Sequence, residues 1–439
     1  MMEAFADELL NISIEEGCEA AEICIDQSES FRVKILNQEM DEYRVSWKSG
    51  IGLRVLFRGK NGYAYSETPD HARELVLRAI DNASTISTDD EQPMQTAQQY
   101  VQVQMPVCPL CAMTEQEKIE LAMRMERDVL AQDDRVFQVP YCIVSTGKYS
   151  RHLKNTLGLV ASESSEDGAI VIQAAVREQE EVHDGFAYRE GKDALDVENC
   201  VREAVAKAVD AFGAASYPSG KTAVVLENEA AADLFGAFVR VFSADEAQHQ
   251  MSPFAGKLGE KIAADVITIV DDPFYEKNPR AFDGEGTPSK ETTVIEKGVF
   301  NSFLHNLKTA KKDGVESTSN ASRPSPGAAV TVGPSNFYIL PGKKTKYELL
   351  EEMKEGILIT DVTGLHAGLN AVTGDFSLLA SGFVVENGKR GRAVEQVTVA
   401  GNLKTLLLTI KQLANDLTFA MGPVGSPSLL IEELTIAGK

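Results

Sequence analysis

The first half of the chain carries one pattern twice, and this repeat constrains the fold more than any other feature. Each copy is a run of strand-like segments that ends on Gly-aromatic-Ala-Tyr, at 62–65 and again at 185–188, and leads into an amphipathic helix. In both helices the apolar residues recur every three or four positions, which is the spacing of one buried helix face. A repeat of this kind indicates a duplicated sheet-plus-helix module. We therefore predict an N-terminal α/β domain over residues 1–217, built from two related units of about 1–88 and 114–213.

The second half of the chain is richer in strands. Ser-Tyr-Pro-Ser-Gly at 216–220 is typical of a domain boundary, and segments beyond it, such as TAVVLE, GILITDV and LLIEELTIAG, are typical of strands. Asn387-Gly388 predicts a tight hairpin, because both residues accept a positive φ. Runs of strands mixed with a few helices predict the α+β class, with a β-rich, mainly antiparallel C-terminal domain over residues 218–439.

Helix starts and a connector can also be placed from the sequence. Thr114 with Glu117, and Thr345 with Glu348, have the spacing of capping boxes, in which two side chains bond to the free amides of the first helical turn. Residues 88–112 have no helical or strand periodicity, so we predict a connector between the two halves of the N-terminal domain.

Composition excludes several classes of protein. With 439 residues, 43% hydrophobic and 25% charged, the chain is typical of a globular protein of more than one domain. The formal net charge of −23 disfavours a nucleic-acid partner, because a negative surface repels phosphates. No stretch reaches the ~18 apolar residues of a membrane span, the N-terminal segment lacks the basic start of a secretory signal, and six cysteines are too few for a disulfide scaffold. We expect a cytoplasmic protein without a membrane partner.

No motif in the sequence names a reaction by itself. Ser-Gly-Lys-Thr at 219–222 lacks the earlier glycine and the following helix of a phosphate-binding loop. Cys108 and Cys111 have the spacing of a ligand pair, but a structural zinc site needs four ligands and the other cysteines form no second pair. The closest two histidines, His152 and His183, are 31 residues apart, so no helical metal motif is present. A Gly-x-Ser-x-Gly nucleophile motif is also absent.

The C-terminal half nevertheless resembles a known family. GLNAVTGDFSLLASGFVVENGK at 368–389, EQVTVAGNLKTLL at 395–407 and GSPSLLIEELTIAG at 425–438 are similar to the end of TldD/PmbA proteins. AFDGEGTPSKETTVIEKGVFNSFLHN at 281–306 resembles the Asp-x-Glu-Gly segment of the same family, so the chain is identified as a member of this metallopeptidase-related family. The resemblance marks positions whose role it leaves open: Asp283, Glu285, Gly286, Gly374, Asp375, Gly401 and Asn402.

The family has two branches, and the resemblance implies which of them this chain represents. TldD-type members have His-Glu-x-x-x-His on a helix and a late cysteine as zinc ligands, whereas PmbA members, also called TldE, lack them. Here Asp245 and Gln250 replace the two histidines, Glu246 stands at the position of the glutamate, and no cysteine follows Cys200. Because catalytic zinc needs three protein ligands, we expect no metal site and no catalytic residue in this chain. Glu246 is then either a solvated carboxylate or the remnant of a shared site.

The resemblance implies a non-catalytic subunit of a TldD/TldE-type cytoplasmic metallopeptidase that acts on small or unfolded peptides. The expected partner is a TldD-type catalytic subunit in a heterodimer, or a second copy in a homodimer, with zinc expected only in the catalytic partner. Peptide would be held by strand pairing to an exposed sheet edge. Two alternatives stay open: a regulatory protein without proteolysis, since some members are called modulators of DNA gyrase, and an autonomous enzyme that uses another site.

Overall fold

The computed structural model describes residues 2–85 and 92–438. The contacts within the chain divide it into two compact units. The first unit comprises the described residues up to Phe212 together with Pro279–Pro288 and Arg323–Val330. The second comprises Gly213–Asn278, Ser289–Ser322 and the residues from Thr331 onward. Two short segments of the region that we predicted as a single C-terminal domain, 218–439, therefore pack in the first unit.

The first unit is one antiparallel sheet that is built from two equivalent halves. The first half contains α1 (Met2–Glu15), β1 (Ala20–Leu36), β2 (Glu39–Phe57), β3 (Lys60–Ser66) and α2 (Ala72–Thr85). The second half repeats this order with α3 (Glu115–Gln132), β4 (Val136–Asn155), β5 (Val160–Glu178), β6 (Glu181–Glu190) and α4 (Val197–Val209). The strand order is β3-β2-β1-β4-β5-β6, so the halves meet where β1 pairs with β4. The predicted duplication of a sheet-plus-helix module is confirmed.

The repeated glycine has the same structural reason in both halves. At Gly62 in β3, a Cβ would come within 1.9 Å of the carbonyl oxygen of Ala79 in α2. At Gly185 in β6, a Cβ would come within 2.1 Å of the carbonyl oxygen of Ala204 in α4. Strand and helix backbones touch at both places, so a residue without a side chain is required. The sequence pattern therefore marks a strand that packs directly on the helix that follows it.

The second unit is built around strands whose pairings close into a ring. In chain order its elements are β7 (Gly220–Leu226), α5 (Asn228–Phe238), α6 (Ala244–Gln248), β8 (Ile269–Asp271), β9 (Thr292–Glu296), β10 (Val299–Phe300), α7 (Leu307–Asp313), β11 (Ala321–Ser322), β12 (Thr331–Val332), β13 (Phe337–Ile339), α8 (Lys346–Met353), β14 (Gly356–Thr363), β15 (Leu369–Asn370), β16 (Asp375–Glu386), β17 (Lys389–Asn402), α9 (Leu403–Thr409), β18 (Ile410–Leu413), β19 (Thr418–Phe419), β20 (Val424–Ser426) and β21 (Leu429–Ala437). One sheet has the order β14-β7-β21-β17-β16-β15, and β14 also pairs with β16, which closes the ring. A second sheet has the order β10-β9-β8-β13-β20-β19. Most pairs are antiparallel, which confirms the predicted α+β class.

One large hydrophobic cluster fills the second unit and fixes the orientation of α5. The helix buries Leu234, Phe235 and Phe238 in this cluster. Phe242, in the turn after the helix, packs against three further phenylalanine rings. The bulky side chains of α5 pack in this core, and the opposite face of the helix carries small residues. Among the described residues, no helix of either unit is both long and apolar enough to cross a membrane.

The short-range signals in the sequence were read correctly. Thr114 and Thr345 each accept a hydrogen bond from a backbone amide of the first helical turn, and each capping box is complete. Asn387 and Gly388 have φ values of 51° and 74° and connect β16 to β17. Within the predicted connector, residues 88–91 lie outside the described residues, and the part from residue 92 contains only a short helical turn at Pro109–Ala112.

Buried charges hold the segment Arg323–Val330 in the first unit. Arg323 forms an ion pair with Glu22 on β1, and the two side chains are 1% and 0% exposed. Arg151 on β4 donates to both carboxylate oxygens of Asp26, at 2.8 and 2.7 Å, and to the carbonyl oxygen of Arg323 at 2.9 Å. Removing one partner of a buried pair leaves an uncompensated charge, which is strongly destabilising. The segment Arg323–Val330 is therefore an integral part of the first unit.

Candidate functional site

The second unit contains a groove of about 1090 Å³ that is bordered by α5. The lining comes from α5, the turn and short helix that follow it, residues 365–377 and residues 420–424. Its ionisable side chains are Asp233, Arg240, Glu246, His366 and Asp375. Two positions singled out from the sequence, Glu246 and Asp375, are thus brought to one groove although 129 residues separate them (375 − 246).

The α5 wall of the groove is made of small residues and a single carboxylate. Ala232, Gly236 and Ala237 face the groove together with Asp233. A Cβ added at Gly236 would meet only the Cβ of Val424 at 3.8 Å, an ordinary contact, so the space in front of the helix is open. A ligand can therefore come close to the helix along this face.

The segment that resembles the zinc motif is only partly helical. Ser243 caps α6 by accepting a hydrogen bond from the amide of Asp245 at 3.2 Å. The helix ends after five residues, and Gln250 lies beyond it in a left-handed conformation with φ of 60°. His249 also lies beyond the helix, and its Nδ1 is 2.8 Å from the carbonyl oxygen of Asp245. Asp245 and Gln250 thus do not share a helix face.

Glu246 lies on the groove and is held by a neighbouring cation. Its side chain is only 18% exposed, and the guanidinium of Arg240 donates to its Oε1 through Nη2 and, at 3.1 Å, through Nε. Glu246 is a partly buried member of an ion pair.

The residues of the groove do not form a zinc site. In the part of the chain that the structure describes, no group of three or more His, Cys, Asp or Glu side chains is arranged to hold a metal ion. Asp245 and Gln250 are not among the residues that line the groove. Catalytic zinc is normally held by three ligands, with histidine prominent among them. The donor set of the described residues therefore does not fit zinc.

Asp375 is fixed at the groove by neighbouring polar groups. One of its carboxylate oxygens accepts a hydrogen bond from Asn402 at 2.8 Å and the other from Thr373 at 2.7 Å. These bonds, first that of Asn402 and then that of Thr373, hold the pKa of Asp375 below its usual value. Asn402 also caps α9. Gly374, with φ of 84°, provides the turn that precedes Asp375.

The remaining family positions do not line the groove. A Cβ at Gly401 would lie 2.7 Å from the ring of Phe376, so this strand position is kept small. Asp283 accepts hydrogen bonds from the amides of Glu285 and Thr287, both at 2.9 Å, and so closes a turn. Gly286 completes this turn with φ of 76°. Asp283, Glu285 and Gly286 belong to the first unit and none of them lines the groove.

We did not predict three of these groove residues from the sequence: Asp233, Arg240 and His366. Burial, followed by the charges of Asp361 and Glu229, raises the pKa of Asp233 to about 6. The available signal was a lone acid within the small and apolar stretch AAADLFGAF. This stretch shows that the acid stands in an unusual position, but it does not show which face of the helix borders a groove.

The sequence matches the profiles of three consecutive domains that carry one description, PmbA/TldA metallopeptidase. Domain 1 matches residues 21–83, the central domain matches 108–212 and the C-terminal domain matches 219–438. Metalloprotease PmbA of Escherichia coli O157:H7 is 24% identical, over 96% of this chain and 93% of its own length.

Solved structures have the same fold over the full length. A proposed modulator of a DNA gyrase from Thermotoga maritima superposes with a TM-score of 0.93 at 31% identity, and 100% of both chains is covered. TldE from Thermococcus kodakarensis superposes with a TM-score of 0.90 at 23% identity, over 99% of this chain and 100% of the other. The second likeness concerns the fold alone.

Proposed function

Because the chain belongs to the TldD/PmbA family of metallopeptidases, we propose that it is the PmbA/TldE-type, non-catalytic subunit of a two-subunit peptidase. In this proposal the chain binds peptide in the groove of its second unit and completes the site of a TldD-type partner, which carries the zinc. The complex acts in the cytoplasm on small or unfolded peptides.

The observation that carries the proposal is the ion pair between Glu246 and Arg240 on the groove. In helical zinc peptidase motifs, the glutamate acts as the general base next to the metal-bound water. Here its Oε1 is occupied by a guanidinium, and the flanking positions are Asp245 and Gln250 instead of histidines. The chain thus has a groove whose residues do not support metal chemistry, which favours a binding role.

The shape of the groove supports a peptide as its occupant. Its volume of about 1090 Å³ exceeds that of most small-ligand pockets, which are about 300–1,000 Å³. Leu369 and Asn370 of β15 line it, and β15 is the last strand in the order of its sheet. Among the described strands β15 pairs only with β16, so its other edge is available to an extended peptide.

Filling the groove at Gly236 tests this function. We expect Gly236→Leu to lower the peptide-cleaving activity of the reconstituted complex at least about tenfold, because the new side chain occupies the open face of α5. The measurement mixes the purified chain with the TldD-type protein of the same organism and follows the cleavage of an unstructured peptide. Leucine also favours the helix more than glycine does, so folding is preserved.

Gly236→Ala is the matched control, since its Cβ meets only an ordinary contact at 3.8 Å. It should retain the cleavage rate within about twofold. Equal rates for the Leu and Ala variants would show that the groove is not used. If the chain neither associates with the TldD-type protein nor stimulates cleavage, the proposed subunit role is wrong, and the regulatory alternative is favoured.

A further inference from the structure

Three carboxylates lie on the groove, and two of them already have partners. Glu246 is paired with Arg240, and Asp375 accepts hydrogen bonds from Asn402 and Thr373. Asp233 differs from both, because it has no hydrogen bond or ion pair with any other residue that the structure describes. The groove therefore contains one carboxylate whose charge is not compensated.

The surroundings of Asp233 increase this imbalance. It is half-buried on the wall formed by α5, and the charges that act on it are those of Asp361 and Glu229, which are both acidic. The cationic side chain on the same groove, Arg240, is engaged by Glu246. Burial and like charges both disfavour an ionised carboxylate, and no positive side chain among the described residues pairs with Asp233.

We propose that Asp233 is a subsite that receives a positively charged nitrogen of the peptide bound in the groove. The nitrogen belongs either to a Lys or Arg side chain or to the peptide N-terminus. The proposal rests on the proposed function, since it requires a peptide in this groove. It makes Asp233 a specificity-determining residue that selects cationic peptides.

The local shape fits such a ligand. Ala232, Gly236 and Ala237 surround Asp233 on the groove face of α5, and none of them projects far enough to block a long side chain. A cation at this place gains a charge-assisted hydrogen bond with a partly desolvated carboxylate, which is worth more than the same contact in water. It also offsets the repulsion from Asp361 and Glu229.

The test uses the full-length chain and three peptides of one unstructured sequence with a dye at the C-terminus. The first has an acetylated N-terminus and one lysine, the second has norleucine in place of that lysine, and the third has norleucine with a free N-terminus. Binding is followed by fluorescence anisotropy at neutral pH in about 0.15 M salt, which screens the long-range effect of the net charge.

For the native chain, we expect at least one of the two charged peptides to bind about tenfold more tightly than the acetylated norleucine peptide. Which of the two shows the gain identifies the source of the nitrogen. In Asp233→Asn the gain should fall below about twofold, while the affinity for the uncharged peptide stays the same. Asp265→Asn is the matched control, because it removes one negative charge from an exposed carboxylate paired with Lys261, away from the groove.

Three other outcomes would contradict the proposed subsite at Asp233. If all three peptides bind the native chain equally, the groove binds peptide without charge selection, and only the subsite is refuted. If Asp233→Asn keeps the preference, another group provides it. If no peptide binds, the subsite and peptide binding by this chain are both refuted.

Discussion

Asp233 is a residue at which folding and binding have opposite requirements. Its pKa is raised from 3.8 to about 6 by burial and by the charges of Asp361 and Glu229. The folded chain therefore binds a proton at this site more tightly than the unfolded chain does, and the ionised form lowers stability above about pH 6. This destabilisation disappears as the pH falls from about 6 towards 4. A residue that costs stability and faces a groove is typical of a binding site.

Asp233→Asn should accordingly stabilise the chain at neutral pH. We expect the free energy of unfolding to rise by about 1 kcal/mol at about pH 7.5, a value reduced from the full effect of the pKa shift because the side chain is partly solvated. Near pH 4 the difference between the variant and the native chain should be much smaller, because the carboxyl group is then protonated in the folded state and partly protonated in the unfolded state. Urea unfolding at the two pH values is the measurement.

Asp375→Asn is a control for which we expect the opposite effect on stability, because hydrogen bonds from Asn402 and Thr373 lower the pKa of Asp375. Its removal should destabilise the chain at neutral pH. If Asp233→Asn also destabilised the chain there, the charge of Asp233 would have a partner, which contradicts the account of the groove.

The difference between found and missed site residues has a physical reason. Glu246 and Asp375 lie within long motifs that the sequence displays directly. Asp233 and His366 gain their position only because the chain folds α5 and residues 365–377 along one groove. The sequence shows which residue stands at each position, but it does not show which residues about 130 positions away will lie beside it.

Among the helices and strands, features that depend on a few neighbouring residues were predicted correctly, whereas the pairing of distant strands was not predicted. The capping boxes at Thr114 and Thr345 were placed correctly, because their bonds close within one helical turn. The extent of β1 was not predicted, since its first part contains Glu22 and Asp26, whose charges are typical of an exposed segment. These carboxylates are buried by arginines from distant parts of the chain, including Arg323.

The close contact of β6 with α4 can be tested by substitution. Gly185→Ala should lower the free energy of unfolding by about 3 kcal/mol, because its Cβ would lie 2.1 Å from the carbonyl oxygen of Ala204. Gly147→Ala, in β4 of the same sheet, should change it by less than about 0.5 kcal/mol, since its Cβ would meet only a carbonyl oxygen at 3.9 Å. Thermal or urea unfolding compares the two variants, and equal effects would refute the close contact of β6 with α4.

At the scale of the whole molecule, membership of the family was readable from the sequence, and the α+β class and the duplication followed from its periodicity. The packing of Pro279–Pro288 and Arg323–Val330 in the first unit could not be predicted from the sequence, because it depends on contacts between distant residues, such as the buried ion pair of Arg323 with Glu22 about 300 positions away. The groove likewise exists only in the folded second unit. The second unit offers a groove of about 1090 Å³ without a set of zinc ligands among the described residues.

In the proposed function, this chain contributes binding but no metal chemistry. The most direct measurement is the zinc content of the purified full-length chain, taken together with its cleavage of an unstructured peptide in the presence and absence of a chelator. We predict less than about one tenth of a zinc ion per chain and no cleavage by the chain alone, because carboxylates and an amide are weak zinc ligands beside imidazole and thiolate. One zinc ion per chain, with cleavage that the chelator abolishes, would contradict the account.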